Sequence, residues 1–135
     1  MNKYNVSDYL DSVTREIQKR ATTYPKIIKK KEKNGIPKDE IFEEIMKQQN
    51  QITLLIQIET LLKYQDEIGT ISSPLAHSMM AELKREMKMR KRYYPRLIYF
   101  KRIDPLTAEY EKYVWEELIQ YFDEKYLSIY KQMPA

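Results

Sequence analysis

Two segments of this chain repeat one pattern of charged, aromatic and proline residues. The first contains Arg20 followed by Tyr24-Pro25, and the second contains Arg90 followed by Tyr94-Pro95. The segments align without gaps at an offset of 70 residues, and the offset becomes 67 further on because the first copy carries three extra residues. A fixed-offset repeat is usually one supersecondary unit used twice. The sequence therefore predicts two related structural units.

Apolar residues in both copies recur at intervals of three, four or seven, which is the spacing of one helix face. No segment shows the alternating pattern of a β-strand, so no strand is expected. Proline removes a backbone donor and clashes with the preceding turn, which predicts a kink or break at Pro25 and Pro95. We therefore expect an all-α fold, with an internal duplication of a kinked helical hairpin forming a four-helix, bundle-like domain. The predicted domain spans residues 1–135, with repeats of about 6–67 and 74–133.

Local signals predict where the helices begin and end. Ser7 and Ser73 are expected to cap helix N-termini, and Pro74 suits a first helical turn. Asn34-Gly35 predicts a helix stop followed by a tight turn. Asp104 is the expected cap of the last long helix.

Basic and acidic residues are segregated between the arms of each predicted hairpin. Residues 15–33 carry eight Lys/Arg against two Glu, and residues 84–102 carry nine against one. The returning arms, 36–67 and 103–131, each carry seven Asp/Glu against three Lys. The modest net charge of +4 therefore conceals a strong asymmetry within the chain.

The shared Arg-x-x-x-Tyr-Pro element places an arginine on each apolar stripe. A charge at such a position is costly unless it is paired and hydrogen-bonded. We expect Arg20 and Arg90 each to pair with a carboxylate of a returning arm, such as Glu44 or Glu111. The alternative is a functional arginine that binds an anion or a partner at the proline.

The second copy interleaves cations with aromatic residues, and this segment supplies the candidate binding residues. Cations contact phosphates and aromatic rings stack on bases, so the pattern has the ingredients of a nucleic-acid surface. The alternative is that these cations pair with the acidic arms and face water, and no recognised reader motif accompanies them. The candidate residues are Arg90, Arg92, Tyr93, Tyr94, Arg96, Tyr99, Lys101 and Arg102.

Composition argues against several classes of function. The absence of Cys excludes disulfides, Cys-ligated zinc and thiol nucleophiles. Two Gly leave no Gly-rich phosphate loop, and the lone His77 is a poor basis for catalysis or metal binding. No apolar run approaches the roughly 20 residues of a membrane span. We expect a cytoplasmic, non-enzymatic protein with no cofactor, no metal and no membrane contact.

Met89-Arg90-Lys91-Arg92-Tyr93-Tyr94-Pro95-Arg96 resembles the Met-Arg-x-x-x-Tyr-Pro-Arg stretch of small, largely uncharacterised proteins encoded by bacteriophages and prophages. The resemblance covers residues 83–122 and, more weakly, 13–55. It implies a phage setting, near recombination and replication genes, and brings no established activity.

These patterns predict an accessory protein that acts by binding another protein, such as a host or phage DNA-processing or defence factor. The alternative is weak nucleic-acid binding through the basic Tyr-Pro arms. Self-association is left open by the sequence.

Overall fold

The computed structural model describes residues 2–131, and this part of the chain is helical without any strand. The all-α prediction is therefore confirmed. The last two residues of the predicted second repeat, 132–133, lie outside the described residues. The helices are α1 (Val6–Lys33), α2 (Lys38–Lys63), α3 (Ser73–Tyr99), α4 (Pro105–Phe122), a π-helical turn (Asp123–Leu127) and α5 (Ser128–Lys131).

The four long helices form a bundle made from two helical hairpins. Short connections at 34–37 and 100–104 join α1 to α2 and α3 to α4, which makes neighbouring helices antiparallel. α1 packs mainly against α2 and α4, and α3 packs mainly against the same two helices. α1 and α3 therefore lie on a diagonal of the bundle, and their side chains meet at its centre.

Both repeated prolines lie inside continuous helices. α1 continues through Pro25 to Lys33, and α3 continues through Pro95 to Tyr99, so the expectation of a break at each proline is wrong. One proline removes a single helical hydrogen bond, and packing of the helix on both sides of it holds the helix together. The two prolines are nevertheless equivalent, because each lines a shallow cleft between the two helices of its own hairpin.

The N-caps of α1 and α3 lie one or two residues before the serines that the sequence favours. Asn5 caps α1 through a capping box, in which the Asn5 side chain accepts from the Asp8 N–H and the Asp8 carboxylate accepts from the Asn5 N–H. Ser72 caps α3, since its Oγ accepts from the Leu75 N–H. The caps predicted at Ser7 and Ser73 are therefore wrong, because earlier side chains already bond the free helix N–H groups.

The turn signals at the hairpin ends are confirmed. Asn34 ends α1, and Gly35 follows with a positive φ of 74°. Asp104 caps α4 by accepting from two backbone N–H groups. α3 ends differently, because Lys101 takes the left-handed conformation with φ of 57° at the place that Gly35 occupies after α1.

The apolar core fills only one half of the bundle. We call this part the closed half: it holds the N-terminal portions of α1 and α3 and the C-terminal portions of α2 and α4. Its largest fully buried side chains include Trp115, Tyr9, Tyr126 and Phe122. The remainder, residues 19–48 and 89–113, contains both hairpin turns and is called the tip half. Few apolar side chains are buried there, so the tip half presents an open end of the bundle.

Candidate functional site

A reciprocal ion-pair cluster joins the diagonal helices at the boundary between the two halves. Arg20 and Arg90 are only 3% and 5% exposed. Arg20 Nε donates to Glu16 at 3.1 Å and its Nη2 donates to Glu86 at 2.9 Å. Arg90 repeats this geometry, with Nε donating to Glu86 at 2.9 Å and Nη2 donating to Glu16 at 3.3 Å. The four residues are related by the offset of 70, so the duplication is also a local two-fold symmetry.

The third nitrogen of each guanidinium meets a different carboxylate. Arg20 Nη1 donates to Glu82 of α3 at 3.4 Å, whereas Arg90 Nη1 donates to Glu111 of α4 at 3.4 Å. Glu82 occupies the repeat position of Ser12, whose hydroxyl donates to Glu111 at 2.9 Å. The small side chain of Ser12 in α1 leaves room for the Glu111 carboxylate, which contacts Arg90. In α3 the equivalent residue, Glu82, itself supplies the carboxylate that contacts Arg20.

One further arginine contacts the cluster on each side. These two residues, Arg15 and Arg85, are again separated by 70 positions in the sequence. Arg15 donates through Nε and Nη2 to Glu111, at 3.1 and 2.6 Å. Arg85 donates through Nε to Glu82 at 2.6 Å. Four arginines and four glutamates therefore neutralise one another around the bundle centre, which is the arrangement that buried charge requires.

The predicted pairing of the two repeated arginines is half confirmed. Arg90 does contact Glu111 of the acidic returning helix. Arg20 does not contact Glu44, and its carboxylates come from α1 and α3 instead. Glu44 faces Lys31 at 4.0 Å. The prediction is wrong at Arg20 because Glu82 already occupies the place of a carboxylate from α2.

Aromatic and amide groups enclose the two arginines unequally. The Arg90 guanidinium carbon lies 4.1 Å from the centre of the Trp115 ring, while Trp115 Nε1 donates to the Leu83 carbonyl. Gln48 holds the repeat position of Trp115 and lines the same clefts as Arg20, and it donates to the Tyr24 carbonyl at 3.3 Å. A cation over an indole face is more favourable than one beside an amide, so the second repeat encloses its arginine better.

The two central glutamates have opposite pKa shifts. Burial raises the pKa of Glu16, and the neighbouring Glu86 carboxylate raises it further. Burial alone would also raise the pKa of Glu86, but the charges and hydrogen bonds of Arg90 and Arg20 outweigh burial and lower it. The distances explain the difference, since Glu86 accepts both of its bonds at 2.9 Å and Glu16 accepts its bonds at 3.1 and 3.3 Å.

The tyrosines of the Tyr-Pro elements also differ between repeats. Tyr24 donates its hydroxyl to Gln51 at 3.0 Å. The residue at the corresponding position of α4 is Leu118, and the Tyr94 hydroxyl makes no hydrogen bond within residues 2–131. Burial raises the pKa of Tyr94 to about 12, so its hydroxyl stays protonated at neutral pH. Tyr94 therefore offers a free donor in the tip half.

A cleft of about 270 Å³ opens above the ion-pair cluster in the tip half. It lies between α1, α2 and α3, and both buried arginines form part of its floor. Ile27, Met89 and Tyr93 contribute partly exposed apolar walls. The sequence pattern did not indicate this cleft, because it forms between side chains that are distant along the chain.

The structure divides the predicted binding residues into two groups. Arg90 is buried in the ion-pair cluster and Tyr94 is half-buried, so these two are not part of an open cationic surface. Tyr99 is 79% exposed, and the remaining five candidates are also exposed. The four exposed cations among these candidates form no ion pair within the described residues, so the alternative that they pair with the acidic arms does not hold for them. These exposed candidates are Arg92, Tyr93, Arg96, Tyr99, Lys101 and Arg102.

Apart from Glu111, the carboxylates that hold the cluster together were not predicted from the sequence. Glu16 and Glu86 stand four residues before Arg20 and Arg90, and this i, i+4 spacing is the local signal for such pairs. Glu82 had no comparable signal, because its role follows from its contact with another helix. No group of three or more His, Asp or Glu side chains that could hold a metal ion occurs among residues 2–131.

Comparisons with protein-family models, curated proteins and solved structures give no match to this chain. Within residues 2–131, no helix has the length and apolar character needed to cross a membrane.

Proposed function

We propose that this protein acts by binding another protein through the tip half of its bundle. The observation that supports this proposal is the distribution of exposed large apolar side chains. Nine of the twelve such side chains within the described residues lie in the tip half, and exposed apolar surface of this kind is typical of interaction sites. The nine are Ile27, Phe42, Met46, Met89, Tyr93, Tyr99, Phe100, Leu106 and Tyr113.

The division of the molecule suits such a role. The closed half supplies the core, and the ion-pair cluster fixes the two hairpins to each other at its edge. The tip half can therefore present most of these exposed residues on rigid helices rather than on loops. The resemblance to phage-encoded proteins leads us to propose a host or phage DNA-processing or defence factor as the partner, met in the host cytoplasm.

Affinity capture from lysate of phage-infected host cells, with and without nuclease, tests the proposal. The test variant combines Tyr99→Ser, Phe100→Ser and Leu106→Ser at the tips. The matched control combines Ile56→Ser, Tyr64→Ser and Ile129→Ser, which are exposed outside the tip half. We expect the wild type and the control to retain the same partner despite nuclease, and the tip variant to lose it. Equal capture by all three proteins would contradict the proposal.

Nucleic acid is the second candidate partner, and the unpaired cations at the end of α3 favour it. Arg92 and Arg96 are exposed one turn apart, and Tyr99 follows them on the same helix face. Any affinity should fall steeply with salt, with a log–log slope of about −0.9 per phosphate contacted on duplex DNA. Binding is expected to be weak and non-specific.

Filter binding at low and moderate salt tests this second candidate. Replacing Arg92, Arg96 and Lys101 together with Glu should abolish retention. The same change at Thr22, Lys26 and Lys31 in the first repeat should have a smaller effect. Nanomolar binding that survives moderate salt would favour nucleic acid over a protein partner, and no retention at low salt would exclude it.

A further inference from the structure

The cleft between α1, α2 and α3 has the form of a groove with regularly spaced walls. Along α3 its wall is made by Arg85, Met89, Tyr93 and Leu97, which follow one another at intervals of four residues. Such i±4 rows are the ridges against which another helix packs. At about 1.5 Å per residue this row extends about 18 Å, which matches roughly three turns of helix. The groove is therefore suited to a short helical segment.

The floor of the groove offers a ligand no unpaired charge. All three nitrogens of Arg20 and all three of Arg90 already donate to protein acceptors. Carboxylates therefore already neutralise both guanidinium charges, which disfavours a small anion at the floor. The volume of about 270 Å³ is also small for a cofactor and large enough for a few side chains.

The free polar groups at the edges of the groove are hydrogen-bond donors. Lys19 and Lys47 are exposed on opposite sides of the groove and form no ion pair within residues 2–131. Tyr94 also lines the groove, and its hydroxyl makes no hydrogen bond within those residues. Two cations and a neutral donor are complementary to carboxylates, and the single acidic side chain of the α2 wall, Glu44, faces Lys31.

We infer that this groove binds an acidic, amphipathic helix of a partner protein. The inference rests on the proposed function and specifies the partner segment. Apolar side chains of that helix contact Met89, Tyr93 and Ile27, and its flanking carboxylates contact Lys19, Lys47 and the Tyr94 hydroxyl. This is recognition of an amphipathic helix in a groove, with anchors at helical spacing. A nucleic acid fits less well, because bases need open stacking platforms and the exposed cations Arg92 and Arg96 do not line the groove.

Selection from a random peptide-display library on the immobilised full chain tests the inference. We expect the enriched peptides to combine Asp or Glu with apolar residues at i, i+4 and i+7. The best one, made synthetically, should become helical on binding, as seen by circular dichroism. Fluorescence anisotropy then measures its affinity for wild-type and variant proteins. A library that yields no such peptide, or yields basic ones, would overturn the inference.

Matched variants locate the binding site. Met89→Ser with Tyr93→Ser should weaken binding about tenfold or more, and the control Ile56→Ser with Tyr64→Ser should leave it unchanged. Lys19→Gln with Lys47→Gln should weaken binding about tenfold, and the control pair Lys63→Gln and Lys84→Gln should not. Tyr94→Phe should weaken binding about threefold to tenfold. Because every substituted side chain except Tyr94 is exposed, circular dichroism should show all variants folded.

Other outcomes separate the inference from the proposed function. Equal affinity of the groove variants and their controls would overturn the inference, while tip-dependent capture of a partner would leave the proposed function standing. Preference of the groove for an oligonucleotide of equal charge over the acidic peptide would also overturn it. Self-association that excludes the peptide, detected by analytical ultracentrifugation, would assign the groove to a second copy of this chain and overturn it as well.

Discussion

Arg20 and Arg90 occupy the same position in the two repeats, but the structure encloses them with different neighbours. Their bonds to Glu16 and Glu86 use the same atoms on both sides. Their third carboxylates come from different helices, and only Arg90 lies against an indole ring. The comparison shows that the centre of the bundle keeps the symmetry of the duplication, whereas the surrounding shell has diverged.

The largest effect is expected from removing either central arginine. Arg90→Ala and Arg20→Ala should each lower the free energy of unfolding by about 3–5 kcal/mol, because buried carboxylates lose their partners. Arg90→Ala should be the more damaging, since it also leaves a gap beside Trp115. Urea denaturation followed by circular dichroism measures both. Arg92→Ala, on the exposed face, is the control, and wild-type stability in both central variants would refute the role of the cluster.

The next prediction concerns the central glutamates. Glu86→Gln should cost about 2 kcal/mol at neutral pH, because two charge-assisted hydrogen bonds are weakened. Glu16→Gln should cost clearly less, since burial raises the pKa of Glu16 and its charged form is poorly compensated. The stabilisation by Glu86 is present above its unfolded pKa of 4.5 and is lost as the pH falls through its lower folded value.

The unfolding free energies of these two variants should therefore converge as the solution is acidified. Urea titrations at a series of pH values from neutral to acid measure this convergence. If both substitutions lowered the free energy of unfolding equally at neutral pH, the two glutamates would be energetically equivalent, which would contradict this prediction.

Glu111 and Glu44 are equivalent by the offset of 67, and they provide a sharper test of the divergence. Glu111→Gln should cost about 2 kcal/mol, because its carboxylate accepts from Ser12, Arg15 and Arg90. Glu44→Gln should cost less than about 0.5 kcal/mol, because its one ion pair within residues 2–131 is with half-exposed Lys31 at 4.0 Å. Thermal or urea unfolding of the two variants checks the difference, and a larger loss from Glu44→Gln would reverse the interpretation.

The last prediction concerns the backbone conformation at the hairpin turns. Lys101→Gly should stabilise the protein by about 1 kcal/mol, because a left-handed conformation is unfavourable for any residue with a Cβ. Gly35→Ala should destabilise by a similar amount, and purely through the backbone, because an added Cβ meets no atom within 4 Å. Differential scanning calorimetry can resolve both shifts. If Lys101→Gly destabilised the protein, the stabilisation from the Lys101 side chain would outweigh the cost of its left-handed backbone conformation.

Much of the fold could be predicted from the sequence, because its signals are local or periodic. The offset of 70 identified the equivalent arginines, the apolar spacing predicted helices, and Asn34-Gly35 predicted the first turn. The continuity of α1 and α3 through Pro25 and Pro95 could not be predicted, because packing against other helices decides it.

The candidate site was less predictable. The arginines on the apolar stripes predicted buried charges. Which carboxylates contact these arginines depends on the diagonal contact of α1 with α3. The exposed state of Arg92 and Arg96 and the buried state of Arg90 likewise depend on helix orientation within the bundle. Sequence spacing alone shows which residues share a helix face, but it does not show which other helix packs against that face.

The reciprocal exchange between Arg20–Glu86 and Arg90–Glu16 has the form of an isologous interface. An arginine of each hairpin pairs with a glutamate of the other hairpin, as equivalent residues do across the two-fold axis of a homodimer. The single chain is thus equivalent to a homodimer whose subunits have been covalently fused through residues 64–72. Fusion allows the two repeats to differ in sequence. The first repeat has Ser12 where the second has Glu82, and two identical subunits could not contain this difference.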